Sequence, residues 1–254
     1  MSDIVIRRLH GVAELDDARF VCDEVWPSTT IGTEITPNLL TAMEHAGGYV
    51  AAAYLASNPN APIGAVISFL GRHRDSSGGW ETHLHSHMTA VLPEFRDRSF
   101  GTLFKFDQRS WCLENQVDYV SWTFDPLVRR NARLNLVKLG AGVKEYLVNF
   151  YGEMLDELNA GDESDRMMAW WDLKSPRVEH ALKGELKALE TIPHDAIVIE
   201  LPEDIIEIRN SNPAVARAWR EKVRENATTA LSQGMTLIGL DAHDSYVFAH
   251  ESSQ

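Results

Sequence analysis

Strands and helices interleave along this sequence, which places it in the α/β (α+β) class. Two observations carry the assignment. Short β-branched and aromatic runs alternate with stretches whose apolar residues fall at helical spacing. Clusters of Pro, Asn, Ser and Gly separate them, as in Ser57-Asn58-Pro59-Asn60-Ala61-Pro62. With 254 residues, 44% of them hydrophobic, the chain can bury one large core and a smaller appendage.

The elements follow in order. Residues 4–9 read as a strand, 13–25 as a helix closed by a turn at Trp26-Pro27, and 38–45 as a second helix. Residues 48–56 and 63–71 are apolar strands joined by the turn cluster above. Residues 72–79 read as a polar, glycine-ended loop. Residues 82–91 alternate with period two, which predicts that His83, His85, His87, Thr89 and Val91 share one face. Residues 100–116 carry Phe100, Leu103, Phe104 and Trp111 at helical spacing, and 118–124 make a buried strand ending at Asp125-Pro126. A further helix is expected over 129–140, and a strand with Tyr146 in it.

Ser175-Pro176 marks a boundary, giving domains 1–175 and 176–254. The second part reads as a short helix (178–189), a strand (196–201), a helix (213–233) and a strand (235–240) that resumes at 246–249. This small α/β extension is expected to pack on the core, where it would extend the sheet, close a pocket or make a homodimer contact. Trp219-Arg220 reads as a packing residue followed by a surface charge.

The net charge of −13 argues against nucleic acid and anionic membrane as partners. No apolar run approaches ~20 residues. Cys22 and Cys112 lie in apolar helical contexts, so a disulfide framework is not expected and a reducing, cytoplasmic setting is. The first residues read as a strand rather than a signal peptide.

The stretch 90–102 is the most informative. A strand ends at Pro93, a basic turn follows, and a helix starts. Unpaired backbone N–H groups and the positive end of the helix dipole make such a start a seat for phosphate, and Arg96 and Arg98 add charge-assisted donors. The segment Arg96-Asp97-Arg98-Ser99-Phe100-Gly101 resembles the acyl-CoA-binding signature of the GNAT acyltransferase superfamily: Gln/Arg, two variable residues, Gly, one variable residue, then Gly or Ala. Ser99 stands where the pattern has its first glycine. The resemblance implies a central mixed, mostly antiparallel sheet, splayed between its fourth and fifth strands, with an acyl-CoA in the opening. It implies backbone contacts to the cofactor at Thr89, Val91, Arg98, Ser99, Phe100, Gly101 and Thr102, with Arg96 nearby and Asn131 beside the pantetheine arm.

Three imidazoles precede the signature. In the aralkylamine N-acetyltransferases of the superfamily, two histidines one residue apart precede an Ala-Val pair as His85 and His87 precede Ala90-Val91. An amine must be neutral to attack a thioester, yet α-amino groups titrate near ~8 and lysine near ~10.4. Imidazole, near ~6.5, accepts that proton at neutral pH. His85 is therefore the expected base, or the head of a water wire, with His87 as its relay and His83 as a structural or surface residue. Two other readings of the triplet stay open: satisfied core histidines, and a metal site. Alternate strand residues stand ~6.5 Å apart, so a closed zinc site would need ligands from elsewhere; no metal is expected.

The chain departs from the superfamily at two points. Leu136 occupies the usual position of the tyrosine that protonates the leaving thiolate, and Ala141 that of a phenylalanine. Tyr146 and Tyr151, in the next strand and at its end, are the candidates to substitute, with Tyr151 the expected donor, and each is equally well explained as an aromatic of an amphipathic strand. A thiol ionises near ~8.5, so the acid is helpful rather than obligatory. A combination across the central third of the chain resembles one bacterial branch of predicted GNAT acetyltransferases, some linked to N-succinylation of amino acids. It comprises Trp122-Thr123-Phe124-Asp125-Pro126, Asn131-Ala132, Asn135, Lys138-Leu139-Gly140-Ala141, 149–154, Leu158-Asn159 and Ser164-Asp165-Arg166. Arg166, read as lying in a loop, suits a carboxylate of acyl group or amino acid, or else forms a surface pair with Asp165; Asp125 is a second candidate on the substrate side.

The expectation is an acyl-CoA-dependent N-acyltransferase using acetyl-CoA, or succinyl-CoA as an amino-acid N-succinyltransferase, on a small-molecule amine. The alternatives of another class are a non-catalytic acyl-CoA-binding module and a His-rich metal hydrolase.

Overall fold

The computed structural model describes residues 4–27, 35–75, 77–96, 100–152 and 162–250. The order of elements is β1 (Ile4–Arg8), α1 (Gly11–Val25), α2 (Pro37–His45), β2 (Tyr49–Leu55), β3 (Asn58–Arg74), β4 (Trp80–Val91), α3 (Phe100–Glu114), β5 (Tyr119–Phe124), α4 (Arg129–Arg133), β6 (Gly142–Leu147), β7 (Arg166–Asp172), α5 (Pro176–Leu182), β8 (Ile197–Ile199), α6 (Ile205–Ser211), α7 (Pro213–Ser232), β9 (Thr236–Leu240) and β10 (Tyr246–Ala249). A seven-stranded sheet has the order β1-β2-β3-β4-β5-β7-β6, and a three-stranded sheet the order β8-β10-β9. The large sheet is mixed and mostly antiparallel, as expected: β4 and β5 run parallel, while β1, β2, β3 and β4 pair antiparallel in turn, as do β6 and β7. The chain divides into two compact units, residues 1–121 and 122–254.

In the first unit, α1 and α2 cover one face of the sheet. Leu15, Ala18, Val21 and Cys22 of α1 and Leu40 of α2 pack with Val50, Ala52, Tyr54, Ala65, Ile67 and Ala90. These alternate along β2 and β3, as a sheet with two covered faces requires. On the opposite face α3 lies close enough that a Cβ at Gly64 would stand 3.2 Å from Phe104. Buried Gln108 of α3 donates to Ser68 Oγ at 2.7 Å and to Ser86 Oγ at 3.0 Å, which satisfies three polar groups under the helix. The expected loop over 72–79 is instead a hairpin. β3 runs to Arg74 and β4 starts at Trp80, because Asp75 closes the turn by accepting from Ser77 N and Gly79 N at 2.8 Å each.

The second unit corrects more of the reading. Residues 129–140 form α4 and then a π-helical turn, Leu134–Lys138, with Leu139 N donating to Leu134 O at 2.9 Å. The run after Asp165 is a strand, β7, so Arg166 lies in regular structure, and Asp165 and Arg166 are buried rather than a surface pair. The helix from Pro176 ends at Leu182, and α6 was not anticipated. Trp122 and Trp171 meet edge to face, and Trp171 Nε1 donates to Leu139 O at 2.7 Å.

Arg220 is not a surface charge: it is 2% exposed. Its guanidinium bonds Asp125 Oδ1 at 2.9 Å and Asp162 Oδ2 at 2.7 Å, and Arg209 of α6 pairs with the same two carboxylates. Arg224, one turn further along α7, reaches Asp165 and Glu163. Residues beyond Ser175 are thereby tied to the end of β5 and to the chain entering β7. Burial alone would raise the Asp125 carboxyl, but Arg220 and Arg209 outweigh it and hold it at about 2.

Removing one partner of such a buried set strands a carboxylate. Arg220→Met is expected to lower unfolding free energy by about 3–5 kcal/mol, read as a lower urea midpoint at unchanged m-value. Because the folded-state pKa of Asp125 lies below its unfolded value near ~3.9, its contribution is present above pH ~4 and lost as pH falls toward 2.

Candidate active site

The site in the first unit is set by one extra residue in β4. Pairing with β3 runs Ile67↔Met88 and then Ser68↔Ser86, which leaves His87 with no opposite number. This is a β-bulge, and it shifts the phase of the strand by one. Before it, His83 and His85 pair with Gly71 and Phe69; after it, Thr89 and Val91 pair with Val66 and Gly64, on the α3 face. The expectation that all five share a face therefore fails for Thr89 and Val91. His87 stays with the other imidazoles: its ring lies 6.1 Å from that of His85, and both pack on Phe69, at 5.7 and 5.0 Å.

The parallel pairing of β4 with β5 runs Leu84↔Val120 and His85↔Ser121. His85 stands at the last of these positions, and its Nδ1 lies 3.0 Å from Ser121 Oγ on the neighbouring strand. Serine at this place was not anticipated; only the register of two distant strands reveals it. Burial lowers the His85 pKa to about 4, helped by the charges of His87, His83 and Lys105. His87 keeps an exposed edge, and its pKa is also lowered by burial. At neutral pH His85 is an uncharged imidazole with one ring nitrogen engaged by serine. Such a group accepts a proton from an acid that develops beside it.

Lys105 of α3 is also buried, and loss of solvation lowers it to about 7. Beyond Val91 the chain makes a 3-10 turn, Pro93–Phe95, and exposed Arg96 turns back so that Nε donates to Val91 O at 3.3 Å. Arg98 and Ser99 lie outside the described residues. Helix α3 opens with Phe100, whose ring is buried, followed by half-buried Gly101 and Thr102.

The second unit holds the other expected residues. Tyr151 Oη and Thr123 Oγ1 are 2.9 Å apart, and the Arg166 guanidinium lies 5.4 Å from the Tyr151 ring centre. Tyr146 donates to Asp165 Oδ2 at 2.7 Å, and burial with that carboxylate raises its pKa. Leu136 is buried in the π-helical turn, and Asn131 is half-buried in α4. The Asp125 carboxylate is taken up by Arg209 and Arg220. Among the described residues no group of three or more His, Cys, Asp or Glu side chains is arranged to hold a metal ion, and no helix is long and apolar enough to cross a membrane.

The sequence matches no family profile and no curated protein. Solved structures do match. The acetyl-CoA complex of Arabidopsis thaliana NAA60 aligns at 14% identity over 66% of this chain and 99% of that one, with a TM-score of 0.50. NAA60 with a bisubstrate analogue gives 15%, 66%, 97% and 0.51. FeeM, an N-acyl amino acid synthase from uncultured soil microbes, gives 13%, 73%, 98% and 0.51. The fold is that of the GNAT superfamily. In this fold β4, which runs parallel to β5, carries His85 and His87, and the residues of the expected signature follow β4 in the sequence.

In histidine-resolved NMR, His85 is expected to stay neutral from pH 8 to 5 and to protonate near pH 4 rather than 6.5. Since its folded-state pKa lies below the unfolded value, the unfolded chain binds more protons between those limits. The stability contributed by neutral His85 is therefore present above pH ~6.5 and falls as pH drops toward 4, a loss that His85→Phe removes.

Proposed function

We propose that the chain is an acyl-CoA-dependent N-acyltransferase, with acetyl-CoA as donor and a small-molecule amine as acceptor that attacks the thioester directly. The observation that carries this reading is His85: a neutral imidazole held by Ser121 at the last paired position of two parallel strands. The likeness in fold to an acetyl-CoA complex supports the donor.

In this reading His85 takes the proton of the attacking amine, directly or through a water, and His87 relays it. Backbone amides around Thr89, Ala90 and Val91 polarise the thioester carbonyl. The pyrophosphate sits on the amides of Arg98, Ser99, Phe100, Gly101 and Thr102, with Arg96 and Arg98 supplying positive charge in a chain of net charge −13. Asn131 contacts the pantetheine arm. Tyr151 returns a proton to the departing thiolate. Arg166 and Asp125 serve the acceptor side, Arg166 through the Tyr151 ring above it and Asp125 by anchoring Arg209 and Arg220. In the reaction the C–N bond forms, the C–S bond breaks, and an ammonium substrate gives one proton to sulfur and one to solvent.

Acetyl-CoA at a hundred times its dissociation constant is expected to add ~2.7 kcal/mol of stability, seen as a raised thermal midpoint that Arg98→Glu abolishes. With a panel of primary amines and release of free thiol as readout, His85→Ala is expected to lower kcat 10²–10⁴-fold while leaving that thermal shift intact. No shift with acetyl-CoA, succinyl-CoA or coenzyme A at saturation would overturn the reading. A shift without thiol release from any amine would leave a binding module.

A further inference from the structure

The unit 122–254 holds a cavity of about 500 Å³ that has no part in the reading above. Its construction begins at the end of α5. Gly184, at φ +73°, takes the left-handed conformation that closes a helix, and Gly184 N donates to Ala181 O and Glu185 N to His180 O, both at 2.9 Å. The chain then runs without regular structure to Leu189, whose N–H donates to Leu240 O at 2.7 Å and whose side chain lies 3.4 Å from where a Cβ on Gly239 would stand. Tied at both ends, residues 184–190 stand across the cavity from the π-helical turn 134–138. Such turns are frequent at functional sites. Val137 of the turn and Ala181 of α5 line the cavity and are buried, while the opposite wall presents half-buried Leu186, Ala188 and Leu189. Asn135 accepts from Trp122 Nε1 of β5 at 3.2 Å. Arg133 and Val137 each stand two positions from an asparagine of the pair Asn131 and Asn135, ~200° round a helix, so the cavity lies on the side away from β5 and from Asn131.

Charge is confined to the rim. Lys138, Lys187 and Glu190 are exposed there, together with Arg133, whose guanidinium meets Asp244 Oδ1 at 2.5 Å. With Arg133 neutralised by Asp244 and one lysine offset by Glu190, the rim keeps a single positive charge in excess, in a chain of net charge −13. We propose that this cavity binds a small amphipathic monocarboxylate, with its alkyl body against Val137, Ala181, Leu186 and Leu189 and its carboxylate at Lys138 and Lys187. The volume is in the range of small-molecule sites and corresponds to roughly 16 water-sized groups, enough for a straight chain of about eight to ten carbons. The apolar wall supplies affinity by removing the chain from water, and the lysines fix which end faces out. A phosphate ester would bring a second negative charge toward Glu190 with no cation left to meet it, and an ammonium would face two lysines. The inference stands apart from the acyltransferase reading.

The test is isothermal titration calorimetry of the full chain with sodium octanoate, below micelle formation, with octan-1-ol and octylammonium beside it. Saturable one-to-one binding of octanoate is expected, about tenfold tighter than that of either analogue. Lys138→Glu combined with Lys187→Glu, both at exposed positions, is expected to weaken octanoate by about tenfold while leaving octan-1-ol unchanged, whereas a loss of fold would weaken both. Ala188→Trp, which fills the cavity from its irregular wall, is expected to abolish binding of both ligands with the thermal midpoint of the free protein held or raised. Absence of saturable octanoate binding, or wild-type affinity in either variant, would overturn the proposal. Equal affinity for octan-1-ol would overturn it by removing the role of charge, and displacement of octanoate by coenzyme A would do so by placing the carboxylate in the cofactor site.

Discussion

In a strand whose side chains alternate, a single unmatched residue exchanges the two faces of everything that follows. His87 is such a residue in β4. On its N-terminal side His83 and His85 lie opposite Gly71 and Phe69, on the face away from the one where Ser86 meets Gln108 beneath α3. On its C-terminal side Met88 and Ala90 fill the α1 core, and Thr89 and Val91 turn to the α3 face. The core contacts of one half and the chemistry of the other are compatible only because of this shift. A regular strand that kept Met88 and Ala90 in the α1 core would carry His83 and His85 on the α3 face, where Ser86 now meets Gln108.

A second constraint, electrostatic rather than geometric, organises residues 122–254. Two aspartates and two arginines are buried together, each arginine reaching both carboxylates. Desolvating four charges is costly, and their mutual attraction offsets that cost only while all four are present. The set therefore acts as a condition on folding more than as a source of net stability. It also explains why residues beyond Ser175 belong with the end of β5: Asp125 would be stranded without α6 and α7. Tyr246, donating to Pro126 O at 2.8 Å, adds an uncharged tie at the same corner.

Much of this was legible in the sequence, and the failures have physical reasons. Apolar periodicity placed β1 to β5 and α1 to α3 because each has one or two covered faces, and the Arg96 to Gly101 pattern pointed to the GNAT fold. Alternation misplaced Thr89 and Val91 because a bulge leaves no mark on composition. Arg220 was assigned to the surface because burial of a charge depends on carboxylates more than fifty residues away. Helix α6 did have a local signal, Asp204 capping Ile206 N and Glu207 N with Glu207 at the third position. Ser121 had none, since its importance comes from the register of a parallel pair.

The bulge also limits how this sequence can drift. Replacing His87 by another residue keeps the phase of β4, so the buried faces on either side survive even where the imidazole pair is lost. Deleting His87, or inserting a neighbour, rotates one half of the strand against its own core. Length in this strand is thus held more strictly than identity. Relatives that have abandoned the histidines should still carry the extra residue, and an alignment that closes that gap would superimpose the wrong faces.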